Sequence, residues 1–185
     1  NNQRMQLGRP TRHKVRISRK MMLQSAVKVL GMYGSTPGIL EIEYFDEEGS
    51  GLGPTLEFYS TVSKEFSKKK LRLWRDEEPR QASDVDVDVD DESYVVNKYG
   101  LFPKPMDKTQ LSSENGRKVL YFFSSLGKFI ARALLDSRII DFNFNPVFLL
   151  LIQLLNTTNG INSTSRTNTL KLSKKMATIS NLRLV

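Results

Sequence analysis

Apolar residues recur at helical spacing over Met22, Ala26, Val29, Leu30 and Tyr33, with Ser18 ahead of them as a candidate N-cap. Gly31, Gly34, Pro37 and Gly38 close that segment. The period then changes to two. Leu40, Ile42 and Tyr44 alternate with Glu41 and Glu43, which predicts a strand with one wet face. A turn-rich stretch over 46–53 leads to Pro54, a residue suited to the first turn of a helix. Phe58, Tyr59, Val62 and Phe66 stripe that helix; Glu57 near its start and Lys68 to Lys70 at its end complement its dipole. A short apolar segment follows at Leu71, Leu73 and Trp74, and a short strand is expected over 94–96. The longest helix should start near Ser112 or Ser113 and carry Val119, Leu120, Phe123, Leu126, Ile130 and Leu134 on one wide face. Gly127 and Ala131 leave room beside it for a close neighbour. Pro146 opens a last helix, apolar nearly all round to Leu155, as expected of a helix buried in a larger fold. The pattern predicts an α+β, mostly helical chain with a few short antiparallel strands.

The segments outside these elements differ in composition. Residues 1–17 read as an extended basic arm and residues 18–155 as the folded body. Residues 76–92 carry repeated aspartates between valines, and their mutual repulsion predicts an acidic mobile loop. Its Asp-x-Asp-x-Asp spacing resembles a calcium loop, yet Val89 and Val95 stand where such a loop needs glycine and glutamate. Residues 156–169 form a polar low-complexity loop, and 170–185 read as a truncated continuation of the body. No apolar run reaches the ~20 residues of a membrane span, and the first ten residues lack the apolar core of a signal peptide. The expectation is a fragment of a cytoplasmic or nuclear protein with no membrane partner.

Candidate chemistry is sparse. The 185 residues include no cysteine, so this chain holds no disulfide, thiolate metal site or cysteine nucleophile. The one histidine, His13, lies between Arg12 and Lys14, a poor setting for a general base. No metal or cofactor is predicted. Net charge is +8, concentrated in the first twenty residues and again between Lys64 and Arg75. Such clusters can mark a non-enzymatic module that binds nucleic acid or an acidic partner through the basic arm, but no aromatic residue interleaves the arm to stack on bases, and a solvated arm is the better reading. Gly49-Ser50-Gly51-Leu52-Gly53-Pro54-Thr55 sits between strand and helix, the place where glycine loops cradle phosphates. Its spacing fits neither common nucleotide-binding pattern, and a tight turn explains it as well. Glu47, Glu48 and Glu57 could act as acids, or be solvated carboxylates beside that turn.

Two segments carry a resemblance. The first is the strand Leu40-Glu41-Ile42-Glu43-Tyr44, continuing through Glu47-Glu48-Gly49-Ser50-Gly51-Leu52-Gly53-Pro54-Thr55-Leu56-Glu57-Phe58-Tyr59. The second comprises Tyr121-Phe122-Phe123, Leu126-Gly127-Lys128, Ala131-Arg132-Ala133-Leu134, Arg138, Asp141-Phe142, Phe144 and Phe148. In order and separation they resemble the N-terminal lobe of HECT-type ubiquitin ligases. The Gly-Leu-Gly-Pro-Thr-Leu-Glu-Phe-Tyr string and the lead-in Arg12-His13-Lys14-Val15-Arg16-Ile17-Ser18-Arg19 look closest to the ubiquitin-fusion-degradation and thyroid-receptor-interacting subgroup.

The resemblance implies partners: ubiquitin, a ubiquitin-conjugating enzyme and protein substrates. It implies a parent activity in which ubiquitin is held as a cysteine thioester and passed to substrate lysines for proteasomal degradation. That cysteine lies outside this chain, so no catalytic residue is carried over and the chain is scaffold. Glu48, Gly49, Gly51, Gly53, Pro54, Glu57, Phe58, Gly127 and Asp141 are the family's structural motif here, with Gly49, Gly51 and Gly53 expected to supply positive φ and close packing of strand on helix. A noncovalent ubiquitin contact would fall at Val27, Phe144 and Phe148, although their apolar spacing also describes three core residues.

Overall fold

The computed structural model describes residues 11–77 and 92–157. The sequence expectations for residues 1–10, 78–91 and 158–185 lie outside these residues. Strand β1 (Arg12–Ile17) leads through a 3-10 turn at Arg19–Met21 into helix α1 (Met22–Tyr33). Strand β2 (Ile39–Tyr44) and helix α2 (Leu52–Phe66) follow. The second half contains the short α3 (Lys108–Ser112), the long α4 (Glu114–Leu135) and α5 (Pro146–Thr157). Mostly helical α+β architecture is thus observed.

The sheet corrects one expectation. β1 pairs with β2 in parallel, Arg12 opposite Ile39 through Ile17 opposite Tyr44. The reason is connectivity: α1 carries the chain back to the end where β1 began, so the next strand runs the same way. Among the described residues, antiparallel pairing is confined to the isolated bridges Lys68–Tyr94 and Trp74–Pro103, and the expected strand at 94–96 amounts to the first of these.

The second half of the basic arm is therefore a strand. Arg12, Lys14 and Arg16 lie on its exposed face, beside the glutamates of β2. Arg12 Nη1 donates to Glu41 Oε2 at 3.3 Å, Lys14 Nζ lies 3.5 Å from both Glu41 and Glu43, and Arg16 Nη2 donates to Glu43 Oε2 at 3.3 Å. The cations form a ladder with β2, which accounts for a charge pattern that also suggests nucleic acid. His13 takes no catalytic position: its Nε2 lies 2.7 Å from the Pro37 carbonyl and its ring packs on Tyr33.

The starts of α3 and α4 follow capping chemistry. Asp107 accepts from the Gln110 backbone at 2.7 Å, and Gln110 Oε1 accepts from the Asp107 N–H, a capping box. Ser113 Oγ accepts from Gly116 N at 3.0 Å and caps α4, at the position the sequence predicts. Ser18 makes no such bond; it precedes the 3-10 turn, and α1 starts later. The core is one cluster. Phe58, Tyr59, Val62 and Phe66 of α2 meet Leu126 and Phe129 of α4 and Leu30 of α1. Trp74 extends it: its indole N–H donates to the Phe66 carbonyl at 2.8 Å while its ring meets Phe123, Phe144 and Phe148.

Candidate functional site

The glycine turn is built around one residue. Gly51 takes φ +93° and ψ −138°, a conformation essentially reserved for glycine, and heads α2. Thr55, buried one turn on, donates from Oγ1 to the Gly51 carbonyl at 2.7 Å and accepts from the Ile42 N–H at 3.0 Å. One hydroxyl thus joins turn, helix and strand. Gly49 and Gly53 differ from expectation. Neither has positive φ; a Cβ on Gly53 would meet nothing within 4 Å, and one on Gly49 only the Pro54 ring at 3.7 Å. Close packing of the turn rests on Thr55 instead.

Arg19 closes the turn from the other side. Its guanidinium forks between Glu47 and Glu57, with Nη2 at 2.9 Å from an oxygen of each, and lies 3.8 Å above the Tyr44 ring. The hydrogen bonds from Arg19 hold both carboxyls below the usual range. Carboxylates held ionised in this way cannot serve as acids at neutral pH. A phosphate entering here would meet Glu47, Glu48 and Glu57 with Arg19 already engaged, which disfavours the nucleotide reading. Beneath the guanidinium, burial pushes the Tyr44 hydroxyl up to about 12, and that hydroxyl has no hydrogen-bond partner.

A second polar cluster lies in the core. Arg132, 1% exposed, donates from Nε and Nη2 to the Asp136 carboxylate at 2.9 and 2.7 Å. Its other donors reach the Thr36 carbonyl at 2.8 Å and the Gly38 carbonyl. Tyr59 donates to the same Asp136 oxygen that Nε reaches, at 2.8 Å, and burial with this bond raises its hydroxyl pKa. The cluster ties α4 to α2 and to the turn between α1 and β2. Motif reading does not assign Arg132 and Asp136 a role. Their signal is a charged pair at i and i+4 falling on the buried side of α4 with Phe129 and Ala133.

Of the three residues of the expected ubiquitin contact, one is buried and two are half-buried. Phe148 is 1% exposed and packs on Phe102 and Phe144, at 5.9 and 6.0 Å between ring centroids. Phe144 is half-buried and stacks on Phe142 at 5.1 Å. Val27 is half-buried against the core on α1. Asp141 is exposed in an open cleft of about 450 Å³ shared with Lys64, Tyr94 and Asn143. Gly127 faces open space on α4. Among the described residues no three His, Asp or Glu side chains come together as metal ligands, and no helix is long and apolar enough to cross a membrane.

The family model for the HECT domain (ubiquitin-transferase) matches residues 60–183, from within α2 past the end of α5. The chain belongs to the HECT-domain family. The match includes Trp74, the Arg132–Asp136 pair and the Phe142–Phe148 aromatics, and leaves the parallel sheet and glycine turn outside it. Ubiquitin fusion degradation protein 4 of Saccharomyces cerevisiae is 49% identical over 154 residues, covering 83% of this chain and 10% of that protein. E3 ubiquitin-protein ligase UPL3 of Arabidopsis thaliana is 40% identical over 163 residues, 82% of this chain and 9% of that protein. E3 ubiquitin-protein ligase TRIP12 of Danio rerio is 38% identical over 130 residues, 70% of this chain and 6% of that protein. The HECT chain thus groups with the ubiquitin-fusion-degradation and TRIP12 ligases, and it spans about a tenth or less of their length.

Proposed function

We propose that this chain forms the front of the N-terminal lobe of a HECT ubiquitin ligase and serves that enzyme as scaffold. The supporting observation is the family match over residues 60–183 of a chain that contains no cysteine. Thioester transfer needs a thiolate nucleophile, so the chemical step belongs to a part of the parent beyond this chain. What these residues contribute is rigidity. The Arg132 cluster fixes the helices to one another and the Arg19 fork fixes the glycine turn to the sheet. Ubiquitin, a ubiquitin-conjugating enzyme and protein substrates are the partners of the whole ligase in this reading, and cytoplasm or nucleus its compartment.

The test uses the parent protein with ubiquitin, activating enzyme, conjugating enzymes and ATP. A thiol-sensitive ubiquitin adduct is expected, and it should vanish when the parent's catalytic cysteine is changed to alanine. Absence of any adduct across a broad panel of conjugating enzymes overturns the reading.

A further inference from the structure

A cleft of about 430 Å³ lies where the start of α1, the end of α2 and the middle of α4 meet. Its floor is apolar: Leu23 is buried, and Leu71 and Phe122 pack partly buried against the core. Its charged lining is unbalanced. Lys20, Lys68 and Lys70 give three cations against the two carboxylates Glu65 and Glu92, while Arg19, also in the lining, is engaged by Glu47 and Glu57.

The two carboxylates are not equivalent. Glu65 sits on α2, 18% exposed, 2.6 Å from the Lys68 ammonium, and is part of the wall. Lys68 itself is only 8% exposed, and a cation so buried requires a fixed partner. Glu92 is 62% exposed and reaches in from a different segment, where one oxygen meets Lys68 and the other Lys70. The two lysines therefore already hold a carboxylate from outside the helix that bears the cleft. Glu92 is the exposed member of these pairs, and a carboxylate that replaces it leaves Lys68 its fixed partner Glu65. With Glu92 swung away, Lys20, Lys68 and Lys70 face the single carboxylate Glu65 above an apolar floor.

We propose that this cleft is a docking site for an acidic peptide segment of a protein partner. A carboxylate of the partner takes the place of Glu92 between Lys68 and Lys70, and an adjacent bulky apolar side chain rests on Leu23, Leu71 and Phe122. Charge complementarity selects the acid, and the apolar floor selects against plain polyanions. The site is independent of the ubiquitin-transfer reading, since it needs neither a thiolate nor ubiquitin.

The test is binding of a fluorescein-labelled peptide of alternating glutamate and leucine to the full chain, read by fluorescence anisotropy at low salt. A lysine-leucine peptide and a labelled single-stranded RNA serve as controls. Glu92→Gln should bind the acidic peptide roughly fivefold more tightly than the unaltered chain, because one screened competitor is gone. The Lys20→Glu, Lys70→Glu double variant should bind it at least about tenfold more weakly. Lys20 is exposed and Lys70 half-buried, and unchanged thermal melting shows that the fold survives. The proposal is overturned if Glu92→Gln fails to bind at millimolar peptide, if neither variant alters affinity, or if RNA binds in preference to the peptide.

Discussion

Arg132 shows how one side chain can hold several segments in place. It is buried with donors pointing at a carboxylate and at carbonyls of the turn before β2, so its charge is tolerated only because each partner is present. Arg132→Leu strands the Asp136 carboxylate in the core and should cost about 3–5 kcal/mol, measured by urea unfolding. Tyr59→Phe removes a single hydrogen bond to that carboxylate and should cost about 1–2 kcal/mol. A smaller loss for Arg132→Leu than for Tyr59→Phe would show that the arginine is not the keystone. Glycines divide in the same way. A Cβ on Gly116 would stand 2.0 Å from the Gln110 carbonyl oxygen, whereas one on Gly127 meets nothing within 4 Å. Gly116→Ala should therefore lose about 1–3 kcal/mol or more to overpacking. Gly127→Ala should gain up to about 1 kcal/mol of helix propensity. Melting temperatures of the two variants, moving in opposite directions, check both.

At the scale of elements, the parallel pair β1–β2 is held by charge on one face and by Ile17, Leu40, Ile42 and Tyr44 beneath. Burial alone would raise the Glu41 carboxyl, but Arg12 and Lys14 together outweigh it and hold it below its ordinary 4.5. Arg19 does the same for Glu47 and Glu57. For a depressed carboxylate the unfolded chain binds the proton first as pH falls. The stabilisation is therefore complete above the ordinary 4.5 and is lost as pH falls through the lower folded values. Stability should be flat from neutrality to about pH 5 and then decline. Arg19→Gln should make that decline shallower, since two of the depressed carboxylates lose their partner. Chemical denaturation at a series of pH values measures this; an unaltered acid limb in the variant would remove Arg19 from the account.

For the whole molecule, the notable surface is on α5. Val147, Leu149, Leu150 and Leu154 are each about half exposed while Phe148 between them is buried. A helix with one face in the aromatic core and leucines on the other favours self-association in water. The isolated chain should associate as its concentration rises, and Leu149→Lys with Leu150→Lys should return it to monomer without lowering its melting temperature. Sedimentation velocity separates the outcomes: a wild-type chain that stays monomeric at high concentration contradicts the prediction.

Much of this was legible in the chain itself. Period and capping placed α2, α4 and α5, because a 3.6-residue stripe of apolar side chains and a Ser or Pro at its start are local physics. The strand at Leu40–Tyr44 was legible for the same reason, through its alternation. The family was legible too, in the strings around Gly51 and from Tyr121 to Phe148. The partner of that strand was harder to read. Arg12, Lys14 and Arg16 alternate with His13, Val15 and Ile17, a strand pattern hidden by its charge; only Glu41 and Glu43, brought alongside by the α1 crossover, explain why so much charge belongs there. Strand direction, the clamp of Arg19 on two distant glutamates, the burial of Arg132 and the confinement of Phe148 to the core all depend on which segments meet. Such meetings are set by the summed packing of the whole chain, and no short stretch of sequence contains that sum.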